Sequence, residues 1–253
     1  MTSPTISPAS ALMMLALSAI WGGSFFFAEI ALAEVPPLTI TLHRVIWALP
    51  LLWLVVRLRG IAVPRSPRVW GAYLVMGALN NALPFSLIFW GQSRIEGGLA
   101  SILNGTAAVF GAVVAGLLLA DERLTRRKIG GAALGLLGVA AVIGPDAARA
   151  LDPRSLAQLA VIAAALSYAF AGVWARKHLS GQPPQMNALG MLTGSAFLMI
   201  PIALWVDGVP RLDLAPDTWA ALIALAVLST SCAYLLYFAI LRRAGAAISC
   251  WSR

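Results

Sequence analysis

The sequence predicts an all-α fold, a polytopic bundle of about eight transmembrane helices. Composition is the first reason. The chain has 253 residues, 60% of them hydrophobic and 11% charged, with mean hydropathy +0.85; a soluble domain carries roughly a quarter charged residues. The second reason is spacing, because apolar runs of about 20 residues recur, the length that spans a ~30 Å hydrocarbon core. The third is punctuation. Pro36-Pro37, Pro64, Pro145, Pro153, Pro183-Pro184, Pro210 and Pro216 fall between the runs, where they end helices rather than kink them.

Taken in order, the runs predict helices over 11–33, 38–56, 69–91, 98–120, 129–145, 156–175, 187–206 and 218–241. The fifth is the shortest. Connections are short, so sequential helices are expected to be antiparallel neighbours. Met1 to Ser10 holds no Lys or Arg, so the first run lacks the basic start of a secretory signal and reads as a retained helix.

The net charge of +8 does not predict nucleic-acid binding, because the basic residues form no single patch. They sit in short clusters between apolar runs. With the N-terminus in the cytoplasm, thirteen Lys and Arg fall on the inner side, including Arg57, Arg59, Arg65 and Arg68, then Arg123, Arg126, Arg127 and Lys128. Four fall outside: Arg94, Arg149, Arg154 and Arg211. Arg44 is within the second helix. This bias predicts a multi-pass protein of the cell (inner) membrane with a cytoplasmic N-terminus.

The chain also resembles itself. Leu87, Arg94, Gly97 and Ser101 recur as Leu235, Arg242, Gly245 and Ser249 at an offset of 148, with Phe89 and Trp90 against Tyr237 and Phe238. Ser18 and Gly23 recur as Ser167 and Gly172 at 149. The reading is a first repeat over 1–145 and a second over 146–253. A unit of five helices inverts the second copy, an architecture common in secondary transporters. The first copy has five helices and the second is cut to three. By the same offset a full second copy would reach about residue 293, whereas the chain ends at Arg253.

Several motifs resemble the drug/metabolite transporter superfamily, specifically its EamA-type domains. They are Trp21-Gly-Gly-Ser-Phe25, Val35-Pro-Pro-Leu38 followed by Arg44, and Gly97-Gly-Leu-Ala-Ser101. Glu122-Arg-Leu-Thr-Arg-Arg-Lys128 with Gly130, Gly131, Gly135 and Gly138, and Ala233-Tyr-Leu-Leu-Tyr-Phe238 with Arg242 and Gly245, continue the series. The resemblance implies ten helices in two inverted repeats, both termini cytoplasmic, and transport of small metabolites, often as export. The family's ninth and tenth helices have no counterpart here. Nor does the proline its fourth helix often carries near Ala107-Ala108.

A charge in hydrocarbon costs at least about 2.5–3.5 kcal/mol on insertion scales. Arg44 lies seven residues past Pro37, so about 10 Å inward. It is a candidate to bind an anionic substrate group or to pair with Glu29; a snorkelling or structurally paired arginine is the alternative. Glu29 and His43 are candidates for proton coupling, against an interfacial acid and a polar helix–helix contact. Asn80 and Asn81 sit mid-helix with Pro84 behind them, which removes a backbone bond and can bend the helix; they are read as substrate-binding or as interhelical glue. Asn104, Thr106, Tyr234 and Tyr237 are candidates of the same kind. Trp21 and Trp90 line a cavity or face lipid. Gly131, Gly135 and Gly138 are expected to serve close helix packing.

No His-Glu-x-x-His, Gly-x-Ser-x-Gly or P-loop occurs, so neither an enzyme nor an ATP-driven pump is expected. His43 and His178 are far apart, and Cys232 and Cys250 have no metal-ligand spacing. No metal or cofactor is expected. The expected partners are the lipid bilayer, a small-molecule substrate and, in a homodimer, a second copy. The expected function is secondary transport of small metabolites by alternating access, with export as the implied direction. The alternative is a truncated member of the same family, transport-incompetent or dependent on a partner.

Overall fold

The computed structural model describes residues 8–119, 125–143, 151–152 and 155–240. The described residues are helical, with no strand among them. The helices are α1 (Pro8–Leu32), α2 (Pro37–Leu58), α3 (Pro67–Gln92), α4 (Gly97–Leu118), α5 (Arg126–Ile143), α6 (Leu156–His178), α7 (Pro184–Val206) and α8 (Pro216–Ile240). Seven are long and apolar enough to cross a membrane. The exception is α5, whose first turn carries Arg126, Arg127 and Lys128. That leaves an apolar stretch too short to match the others. The Glu122 side of the α4–α5 junction, Arg149, Pro145, Pro153, Arg242, Gly245 and the end at Arg253 lie outside the described residues.

Proline starts α2, α3, α7 and α8 at the first helical turn. There its missing N–H costs no intrahelical bond and its fixed φ suits the helix. The centre of the bundle is α3, packed between α6 and α7. Helix α2 leans on α3, α7 and α8, and α1 runs along α8. Apolar side chains on the outside, such as Phe197 and Trp205, are exposed, as expected of a surface solvated by lipid.

Close packing is supplied by glycines other than those expected. A Cβ on Gly194 would run into the Tyr73 and Leu74 backbone, one on Gly190 into the Tyr73 ring, and one on Gly77 into the backbone of Met191 and Ser195. Only hydrogen fits at this α3–α7 crossing, a small-x-x-x-small contact. Gly131, Gly135 and Gly138 on α5 instead face open space, with no atom of the described residues within 4 Å of a Cβ built on them. The Gly-x-x-x-Gly spacing alone does not distinguish a packed stripe from an open one.

Among the described residues, four helices are interrupted near the middle of their length. Helix α2 breaks at Trp47-Ala48, with Pro50 starting its second half. Helix α3 widens to a π-helix over Ala78–Ala82, and α8 does so over Ala224–Cys232. Helix α4 breaks at Thr106, whose Oγ1 donates to the Leu103 carbonyl at 2.5 Å. The proline missing near Ala107 is therefore replaced by a Gly105-Thr106 break.

Candidate functional site

The π segment of α3 follows from Pro84. The Leu83 N–H reaches back five residues to Ala78 O. The next residue is proline and has no N–H. The Leu79 carbonyl thus loses both donors that could have closed a turn on it, and an unpaired buried carbonyl costs about 1–3 kcal/mol. Ser167 of α6 takes that place, its Oγ donating to Leu79 O at 2.7 Å.

The π segment of α8 contains the run Ser229-Thr230-Ser231, all buried. Thr230 Oγ1 donates to Leu225 O at 2.9 Å and Ser231 Oγ to Ala226 O at 3.2 Å, each five residues back. Ser231 also reaches the α2 break, its one hydroxyl hydrogen shared between Ala226 O and Ala48 O, the latter at 3.0 Å. Hydroxyls therefore occupy carbonyls that the irregular backbone exposes, the usual way such backbone survives in a membrane interior.

Arg44 ties these parts together. It is 7% exposed. Its Nε donates to Thr230 Oγ1 at 2.9 Å and its Nη2 to Ser229 O at 3.4 Å. Its guanidinium lies 3.8 Å from the Phe85 ring centroid and 5.9 Å from that of Phe89. Of the two roles open to Arg44 in the sequence, the pair with Glu29 is not formed. Glu29 is exposed and lies beside Gly97 at the start of α4. Among the described residues no carboxylate is within ion-pair distance of Arg44. Equal depth across the α1–α2 hairpin did not bring the two charges to one face.

Asn80, Asn81 and Tyr234 do converge. Tyr234 OH donates to Asn81 Oδ1 at 2.6 Å, and Asn80 Nδ2 donates to Tyr234 OH at 3.1 Å. Thr230 and Tyr234 are one turn apart on α8, and Asn81 and Phe85 are one turn apart on α3, so each pair shares a helix face. Arg44 spans the pair ends at one level, and the Tyr234–Asn81 bond closes them at the other. The result is a frame about one helical turn high (~5.4 Å) between α2, α3 and α8. Asn81 is fully buried, and its Nδ2 has no partner within the described residues.

The other candidates sit elsewhere. His43 is buried and its Nδ1 accepts from Trp47 Nε1 at 2.9 Å; the ring meets Trp219 edge-on at 5.6 Å. Trp21 is exposed and packs on Tyr237 at 5.9 Å. Trp90 stacks under Arg94 at 4.1 Å. Asn104 precedes the α4 break, with a buried Oδ1 that has no partner within the described residues. Thr230 and Phe85, which hold Arg44, are not among the candidates named from the sequence, and Ser167 entered there only as a repeat position. The hydroxyl run 229–231 in an apolar helix was the available signal.

At the end expected to face outward, two acids hold helix N-termini. Glu34 Oε2 accepts from Thr218 Oγ1 at 2.6 Å and Ala215 N at 3.0 Å. Asp207 Oδ2 accepts from Thr39 N at 2.8 Å and Thr39 Oγ1 at 2.9 Å. The carboxylates thus cap α8 and α2 across the bundle, where the helix dipole favours negative charge. The Thr218 and Ala215 hydrogen bonds hold the Glu34 carboxyl below its ordinary range. Toward the opposite end, a cavity of about 240 Å³ opens between α4 and α6, lined by Gly111, Ala115, Tyr168, Gly172 and Arg176 among others.

Seven helices among the described residues, each long and apolar enough to cross a membrane, pack into a multi-pass helical membrane bundle. The EamA-like transporter family matches residues 8–144 and 155–251, and the chain belongs to that family. It is 28% identical over 231 residues to an uncharacterized transporter of Archaeoglobus fulgidus, covering 89% of this chain and 78% of the relative. It is 23% identical over 235 residues to the uncharacterized transporter YoaV of Bacillus subtilis, covering 91% and 78%. Protein PagO of Salmonella typhimurium is 23% identical over 160 residues, covering 62% and 52%. A solved crystal structure with 19% identity superposes with a TM-score of 0.71 over 92% of this chain and 78% of that one. That likeness shows the fold. The chain is a membrane transporter.

Proposed function

We propose that the chain is a secondary transporter of small metabolites in the inner membrane, N-terminus cytoplasmic, alternating between two inverted repeats. The observation that carries this reading is the frame of Arg44, Thr230, Tyr234, Asn81 and Phe85. It holds a buried cation without a counter-charge among the described residues, built on two π-helical segments at mid-membrane. Broken helices around a midplane site are the recurrent build of such transporters.

The repeat has support beyond sequence identities. The offset of 148 lays the Ala78–Ala82 π segment onto positions inside the Ala224–Cys232 one. Helices α2 and α7 each start on the second proline of a pair, behind an extended Pro36 and Pro183. Alternation is supported by asymmetry: acids tie the helices at one end, and the α4–α6 cavity opens toward the other. Export is the direction implied by resemblance.

The test is solute flux in proteoliposomes made with the full chain. Flux above empty vesicles for at least one member of a metabolite panel is expected, and Arg44→Ala should abolish it while leaving membrane insertion intact. No flux across the panel would overturn the proposal. Unchanged flux in Arg44→Ala would remove Arg44 from the site.

A further inference from the structure

We infer that the interior site takes small organic monoanions with a carboxylate head, and that Arg44 binds that head. The inference deepens the transport reading and rests on it.

Arg44 is the one Lys or Arg in the interior of the described spans; Arg57, Arg68, Arg176 and Lys177 lie at helix ends. No described carboxylate pairs with it. A guanidinium cannot discharge itself by losing its proton at physiological pH. Its partners are neutral: a threonine hydroxyl, a backbone carbonyl and two phenyl faces. Leaving a buried cation without an anion is the costly arrangement, whereas the pair is tolerated. The missing half is therefore negative.

The second observation is independent of charge. Asn81 is 0% exposed, its Oδ1 is taken by Tyr234, and its Nδ2 has no partner within the described residues. Arg44 Nη1 likewise makes no hydrogen bond there. The open valences of the frame are donors on both sides, so the ligand presents acceptors. A carboxylate offers two oxygens and no donor. One fixed cation balances one negative charge, which favours a monoanion over a phosphate ester. The apolar walls, Phe85, Phe89 and Met191 beside Asn80, suit a compact carbon body.

The test uses the full chain and a series matched in shape but not in charge: gluconate, glucose and glucosamine, with mandelate and pyruvate as further monocarboxylates and choline as a further cation. Flux into proteoliposomes is measured alongside the melting temperature of the detergent-solubilised protein with each solute. At least one monocarboxylate should move and raise the melting temperature, while glucose, glucosamine and choline do neither. Arg44→Met should lower monocarboxylate flux by roughly tenfold to a hundredfold, as loss of a charged hydrogen bond does. Arg44→Lys, which keeps the charge and guards against misfolding, should retain part of it.

Movement of glucose or choline with no effect of any monocarboxylate would overturn the anion assignment and leave transport standing. Monocarboxylates that raise the melting temperature without any flux would uphold the anion site and overturn transport. Neither flux nor stabilisation by any monocarboxylate would overturn both.

Discussion

Arg44 on α2 and Thr230 on α8, 186 residues apart, share a hydrogen bond of 2.9 Å in the buried centre of the bundle. The same Thr230 hydroxyl donates to Leu225 O, so it passes the polarity of an irregular backbone on to a cation. That relay lets a single arginine sit in the interior without an acid beside it. It also leaves the charge for a ligand to neutralise.

Tyr234 and Asn81 close the far side of the frame. Tyr234→Phe and Asn81→Leu should each destabilise the protein, and the double variant should cost less than their sum. The expected coupling is about 0.6–1.7 kcal/mol, the range of interhelical hydrogen bonds in membranes. A double-mutant cycle by unfolding in mixed detergent measures it; additive losses would mean that the bond contributes nothing.

Ser167 occupies the Leu79 carbonyl orphaned by Pro84. Ser167→Ala should therefore cost about 1–3 kcal/mol, more than a serine on a lipid-facing surface. Unfolding in denaturant reads the loss. A change within about 0.5 kcal/mol, typical of surface substitutions, would show that the carbonyl finds another partner.

Gly194 and Gly135 should respond oppositely to alanine. At Gly194 the new Cβ meets the α3 backbone, which can yield only by separating the helices, at about 1–3 kcal/mol. At Gly135 nothing is within reach, and alanine should leave stability unchanged or raise it by up to ~1 kcal/mol. Melting temperatures of the two variants decide this directly.

Glu34 makes the outer tie sensitive to acid. Its folded pKa lies below the ordinary glutamate value, mainly through Thr218 and then Ala215. A carboxyl depressed on folding stabilises fully above its unfolded pKa, about 4.3, and loses that contribution as pH falls through the lower folded value. Glu34→Ala should thus melt below the wild type at pH 6 to 7, and the gap should narrow as pH drops below about 4. A gap independent of pH would assign the tie to packing rather than to the charge.

Hydropathy and proline placement made the helices legible to within three residues at each described end, because lipid demands continuous apolar runs with few exceptions. The exceptions themselves pointed to the candidate site: Arg44, Asn80, Asn81 and Tyr234 were conspicuous as polar groups in apolar runs. What they face was not legible. The Glu29 pairing failed because depth along two helices says nothing of azimuth. The α5 glycines and the Gly190–Gly194 pair show the same spacing, and only the neighbouring helix separates them. The π segments depend on where a freed carbonyl finds a hydroxyl, a tertiary matter settled by Ser167 and by Thr230 against Arg44.

The most direct test of the central claim compares flux through proteoliposomes of the wild type, Arg44→Met and Gly135→Ala at equal inserted protein. Arg44→Met should lose at least about tenfold of the wild-type rate, and Gly135→Ala should retain it. Equal flux in all three would contradict the assignment of the Arg44 frame as the transport site.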